Sequence, residues 1–255
     1  MLIIAHPGHE LLLHHWVGKT RPLVAVLTDG SGSRGQPRLE ATRRTLTQAG
    51  ARTSNVFGVG PDQRFYDAIL EGDLEFFRAI IAGLEEEIVA SGATAVVSDP
   101  IEYFSPVHDL CSVLASLATV RATPQLSAPP HRFTFPIERP ADLARAAPDW
   151  RVTRLTPMEY EAKRRAAELS EGLEQEVARV SREQPGVGSV EVLMPVRPEA
   201  ALMPAPMATP FYETFGRARV GDGAFTQLIT YADHVAPLVE ALAACEQALD
   251  PAAAD

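Results

Sequence analysis

The chain has 255 residues, 46% hydrophobic and 22% charged, with 33 acidic against 23 basic side chains and a formal net charge of −10. These are values of an ordinary globular protein. They argue against a nucleic-acid partner, which asks for a basic face, and against an anionic membrane surface. Two cysteines, Cys111 and Cys245, make no disulfide framework, and no apolar run approaches the ~20 residues that span a bilayer. Without a basic, apolar leader ahead of His6, the expected compartment is the cytoplasm.

Leu2 to Ala5 is a short apolar run stopped by His6-Pro7-Gly8-His9, which predicts a buried strand feeding a helix. Leu11, Leu12, Leu13 and Trp16 supply an apolar helical stripe. Leu23 to Leu27 reads as a second strand, ended by Thr28-Asp29-Gly30. Residues 38 to 49 read as a helix closed by Gly50, and Ser54 to Val59 as a third strand. Leu74, Phe77, Ile81, Leu84 and Ile88 recur at three or four residues and mark a helix over 73 to 90. Ala95 to Val97 is a fourth strand, and Val107 to Ala118 a further helix.

This alternation predicts an α/β fold: a Rossmann-like parallel sheet with helices on both faces and an irregular C-terminal cover. Residues 1 to 125 form the expected metal-binding core. Residues 126 to 255 form an extension packed on it as one domain. Within the extension, Arg132 to Phe135 reads as a strand. Thr156 with Glu159 is a capping box opening a polar helix to about Glu183. Residues 185 to 210 read as irregular cover, 225 to 248 as a terminal helix, and Pro251 to Asp255 as a fraying tail.

In a parallel sheet, ligands bind beyond the carboxyl ends of the strands. His6, Asp29, Gly60, Asp99 and His108 all follow strands. His6 and His9, three residues apart at a turn, can converge on one cation, and His108 opens a helix at the same edge. Three neutral imidazoles with an open fourth position suit a catalytic zinc ion. The competing reading is that His6 and His9 merely cap a helix.

Ala5-His6-Pro7-Gly8-His9-Glu10 resembles the Ala-His-Pro-Asp-Asp-Glu signature of the PIG-L/LmbE-like zinc-dependent N-deacetylases. Leu27-Thr28-Asp29-Gly30, Val59-Gly60-Pro61-Asp62 and Ser105-Pro106-Val107-His108 are similar to further segments of that family. The likeness covers roughly residues 1 to 175 and is strong in the first 120. It implies Zn2+ held by His6, His9 and His108, with a histidine in place of the family's aspartate ligand. It also implies departures. The family's general base is Gly8 here, its second-motif histidine is Ser105, and the supporting aspartate is Val107.

The expected function is therefore a zinc-dependent hydrolase of an amide or other C–N bond in a small polar metabolite. Asp29, Tyr103 and Glu10 are the candidate catalytic groups. Ser105, Glu213 and Tyr212 are the candidate substrate contacts. Two alternatives stand beside it: a metal-binding protein of the same fold without hydrolytic activity, and an enzyme of different chemistry using zinc as a Lewis acid. A homo-oligomer is compatible with the sequence.

Overall fold

The computed structural model describes residues 1–32, 35–138, 141–170, 172, 187–197 and 202–249. Its centre is a seven-stranded sheet in the order β3-β2-β1-β4-β5-β7-β6. The strands are β1 (Leu2–Ile4), β2 (Leu23–Thr28), β3 (Arg52–Gly60), β4 (Ala95–Ser98), β5 (His131–Thr134), β6 (Arg151–Arg154) and β7 (Val190–Pro195). The five strands β1 to β5 run parallel to one another. The fold is thus α/β and Rossmann-like, with helices on both faces.

Residues alternate across β1 as the pleat requires. Ile3 and Ala5 pack on one face, against helices α3 (Asp62–Glu71), α4 (Leu74–Ser91), α5 (Pro106–Ala122) and α8 (Ala236–Leu249). Leu2 and Ile4 pack on the other, with Leu13, with Val17 of α1 (His14–Thr20) and with Leu46 of α2 (Leu39–Ala49). Both faces of the strand are buried, which explains why it reads as a continuous apolar run.

The C-terminal half departs from expectation. Residues 185 to 210 contain β7, which pairs antiparallel with both β5 and β6, so the sheet is mixed rather than parallel. β7 is partnered through strands far away in sequence, and its short run gives no helical or turn signal of its own. The capping box at Thr156 and Glu159 is present and opens α6 (Pro157–Glu168); the expected continuation over 173 to 183 lies outside the described residues, as does the tail from 251. The segment after Pro210 is helix α7 (Phe211–Gly221). The terminal helix begins later than expected, through a π-helical turn at Tyr231–Val235. Helix α3, between Pro61 and Gly72, was not anticipated. Among the described residues no helix is long and apolar enough to cross a membrane.

Helix α4 is capped by Asp73, whose carboxylate accepts from the Phe76 N–H at 3.0 Å and pairs with Arg64. The Arg64 hydrogen bond, then the Phe76 N–H, hold this carboxyl below its usual 3.8. A depressed pKa contributes stability above the unfolded value and loses it as pH falls through the folded one. Asp73→Ala is therefore expected to cost about 1 kcal/mol at pH 7. In urea melts, the gap between variant and wild type should shrink well below pH 3.8. A gap that is constant with pH would contradict the charge-based cap.

Candidate metal centre

The chain runs outward from β1 to β3, then returns to β4 on the other side of β1. The crevice between the ends of β1 and β4 is the topological switch point, where open α/β sheets bind ligands. His6 and His9 leave the end of β1, and His108 sits in the first turn of α5, just after β4. Gly8 stands at φ 106°, a conformation few side chains tolerate, and it turns the chain so that both histidines face the crevice. The three rings meet there. Their centroids are 5.4 Å apart for His6 and His9, 5.0 Å for His6 and His108, and 4.7 Å for His9 and His108.

Each ring from β1 is held from behind. His9 Nδ1 lies 2.9 Å from Asp99 Oδ2. The same oxygen accepts from the Ala5 N–H at 2.9 Å, tying the ends of β1 and β4 together. His6 Nδ1 lies 2.8 Å from Thr28 Oγ1 and 2.9 Å from Asp62 Oδ1. Asp62 in turn accepts from the Gly32 N–H. Burial would raise the Asp62 carboxyl, but the hydrogen bond and charge of His6 outweigh it and hold the carboxyl far below its ordinary range. Burial would lower His9, but Asp99 outweighs it and raises that ring. Among the described residues, His108 has no such partner. Burial, then the neighbouring His9 and His6, push it well below 6.5, so it is a neutral imidazole.

Among the described residues, the buried side-chain atoms lacking a hydrogen-bond partner include Asp99 Oδ1, His108 Nδ1, Asp109 Oδ2 and Tyr212 Oη. Such atoms are rare in native proteins and tend to mark strain, chemistry or an ion site. Asp109 is fully buried. Its Oδ1 accepts from the Glu102 and Tyr103 N–H groups at 3.0 and 3.1 Å, and burial pushes its carboxyl up to about 7.

The donor set suits a divalent ion. Two imidazoles carry carboxylate partners on Nδ1, the arrangement that orients metal-bound histidines, and the third is neutral with a buried, unpartnered nitrogen. Three imidazoles bound tetrahedrally, with Zn–N bonds of about 2.0–2.1 Å, place their ring centres about 5 Å apart. As the side chains stand, no group of three or more His, Cys, Asp and Glu among the described residues is closed enough to hold an ion. The rings have the separation of a metal centre without its final convergence.

The other expected residues fall elsewhere. Asp29 is a turn residue: its Oδ1 accepts from the Ser31 N–H at 2.8 Å and its backbone bonds Gly60 and Arg38. The aspartate beside His6 is Asp62, not Asp29. Glu10 is buried and its Oε2 accepts from the Gly8 N–H at 2.8 Å, which pins the histidine turn. Tyr103, at φ 57°, donates its hydroxyl to the Pro204 carbonyl. Burial, then Asp109 and Tyr231, raise that phenol to about 12. Ser105 is the N-cap residue of α5, without a side-chain capping bond, and its carbonyl accepts from the Asp109 N–H. Glu213 accepts from the Tyr231 N–H at 2.8 Å and so braces the π turn. Tyr212 is buried beside Asp109, with its phenol raised by burial and then by that carboxylate's charge. Asp62 and Asp99 were not singled out as ring partners by the sequence, although Asp62 ends a family-like segment and Asp99 follows a strand.

Gly30 shows how closely this turn is packed. It stands at φ +69°, and an added Cβ would lie 2.8 Å from Pro7 Cδ. Gly30→Ala is expected to cost about 1–3 kcal/mol in backbone strain alone and to displace the His6–His9 turn. Calorimetry together with zinc titration would check both effects; unchanged melting would contradict the close approach.

No protein-family model matches this chain and no curated protein matches it. Among solved structures, it is similar to the crystal structure of GalB, the 4-carboxy-2-hydroxymuconate hydratase from Pseudomonas putida KT2440. The identity is 18% and the TM-score 0.46, with 81% of this chain and 98% of that one covered.

Proposed function

We propose that this protein is a metal-dependent enzyme of the PIG-L/LmbE-like kind that hydrolyses an amide or other C–N bond in a small metabolite, with zinc bound by His6, His9 and His108. The observation that carries this reading is the meeting of three imidazole rings at the switch point, two of them backed by Asp62/Thr28 and Asp99. An ion bound there would supply Lewis acidity and would lower the pKa of water. The chain's own groups would do the rest. Asp62 and Asp99 hold the rings in one tautomer. Glu138, whose charge acts on the His9 ring, would take the proton-exchange role expected of Asp29.

Hydrolysis adds water across the carbonyl, breaks the C–N bond and leaves the amine with a proton. Glu138→Gln keeps the side-chain length and removes the exchangeable proton. It is expected to lower kcat roughly 10²–10⁴-fold while zinc stoichiometry stays the same. Steady-state kinetics on an N-acyl substrate panel, with metal analysis alongside, provides the test. Full activity in Glu138→Gln, or wild-type protein that takes up no zinc, would remove the reading.

A second reading has a specific observation in its favour. Asp62, Asp99, Glu10 and Asp29 each hold a ring or turn contact, which gives these four carboxylates structural roles. That suits a Lewis-acid enzyme of different chemistry. Metal uptake without turnover of any N-acyl substrate would favour it.

A further inference from the structure

Arg132 puts a charge on a face of the sheet built for apolar side chains. In β5 it pairs in register with Val96 of β4, and parallel neighbours send such side chains to the same face. Val96 belongs there to the cluster that packs on α5. Arg132 is half-buried. A guanidinium offers five N–H donors and keeps its charge at any ordinary pH. Its Nη2 donates to Ser116 Oγ of α5, and among the described residues no other group accepts from the side chain. Burial draws its pKa down, and no acidic neighbour acts against that. Carboxylates are not scarce in a chain of net charge −10. The more exposed arginines find them: Arg64 pairs with Asp73, Arg145 with Asp142, Arg164 with Glu161 and Arg197 with Asp149. Such surface pairs contribute little, whereas a charge withdrawn from water without a counter-charge is costly.

We propose that Arg132, steadied by Ser116, binds an oxyanion: the carboxylate or phosphate group of a small solute. The guanidinium fork matches two oxygens of either group, and a hydrogen bond to a charged oxygen is about twice as strong as one to a neutral acceptor. Ser116 sends its own proton to the Ser112 carbonyl at 2.7 Å. It therefore fixes one edge of the guanidinium and leaves the remaining N–H groups for the anion. The face is not sealed. Thr134, two residues along β5, and Met194, opposite it in β7, share that side of the sheet and are also half-buried. Ser116 lies eight residues beyond His108, about 12 Å along the helix, so the site is separate from the histidine cluster and rests on no part of the metal reading.

Thermal melts of the full chain in sodium chloride, with sodium phosphate or sodium acetate substituted at equal ionic strength, test this. At ten times the Kd of the anion, the wild type should melt about 3–6 °C higher than in chloride alone. The larger of the two shifts tells phosphate from carboxylate as the preferred group. Arg132→Met keeps an unbranched apolar stem and removes the charge. It should lose the anion response and melt at or above wild type in chloride, because the lone charge is gone. Arg132→Lys keeps the charge without the fork and should bind roughly tenfold more weakly. A wild type that responds to neither anion, or an Arg132→Met response equal to that of wild type, overturns the proposal. So does an Arg132→Met protein that melts well below wild type in chloride, since the guanidinium would then be satisfied within the fold. A wild-type dimer that Arg132→Met converts to monomer also overturns it, because a carboxylate of a second copy would then be the partner. Zinc uptake should be the same in Arg132→Met as in wild type, so failure of the histidine cluster and failure of this site are read separately.

Discussion

Replacing His108 with alanine is expected to abolish stoichiometric zinc binding while leaving the fold in place. Among the described residues no carboxylate stands behind the His108 ring, and burial keeps it neutral, the state in which imidazole binds a metal. Its removal takes away one of three donors, so the loss should exceed the roughly 10–100-fold that outer-shell substitutions cost. Asp99→Asn is the graded companion. It retains an oxygen for His9 Nδ1 and the Ala5 N–H but loses the charge, and about a tenfold loss of affinity is expected. Competition titration against a zinc chelator, with circular dichroism as the folding control, measures both. If His108→Ala, His6→Ala and His9→Ala each still carry one tightly bound zinc, the cluster is not the metal centre.

Glu191→Ala is expected to be the most destabilising of the substitutions considered, by about 3–5 kcal/mol. Glu191 sits in β7 and is almost fully buried. Its Oε1 lies 3.0 Å from Lys163 Nζ of α6, and its two oxygens accept from the His15 and Trp16 N–H groups at 2.9 and 2.8 Å. Those N–H groups begin α1, whose own N-cap residue, Leu13, offers no side-chain acceptor. One carboxylate thus caps a helix and neutralises a buried ammonium that also donates to the Leu12 carbonyl. Removing it strands the Lys163 charge. Lys163→Met in the Glu191→Ala background should recover most of the loss, because the orphaned charge goes too. A residue of about 1 kcal/mol should remain for the uncapped helix. Chemical denaturation of the single and double variants gives the cycle; additive losses in the double variant would show that the pair does not couple.

These two sites divide what could be read early from what could not. The histidine cluster was legible because each ring follows a strand in a βα pattern, and parallel strands send their carboxyl ends to one edge. Helix α4 was legible from its apolar spacing, and the Thr156–Glu159 box from three-residue chemistry. Helix α7 was not, because Pro210 and the aromatics after it also suit a loop, and only packing of Tyr212 and stacking on Phe104 select the helix.

Local order along the chain therefore determined the α/β alternation, the first five strands and the place where His6, His9 and His108 would gather. Tertiary structure alone decided that Asp62 and Asp99 stand behind the rings, that β7 and β6 join antiparallel, and that a glutamate some 175 residues away caps α1. The physical reason is range. Periodicity and capping act within a turn or a strand, whereas a carboxylate meets its partner only after the sheet has assembled, and no spacing in the chain encodes that distance.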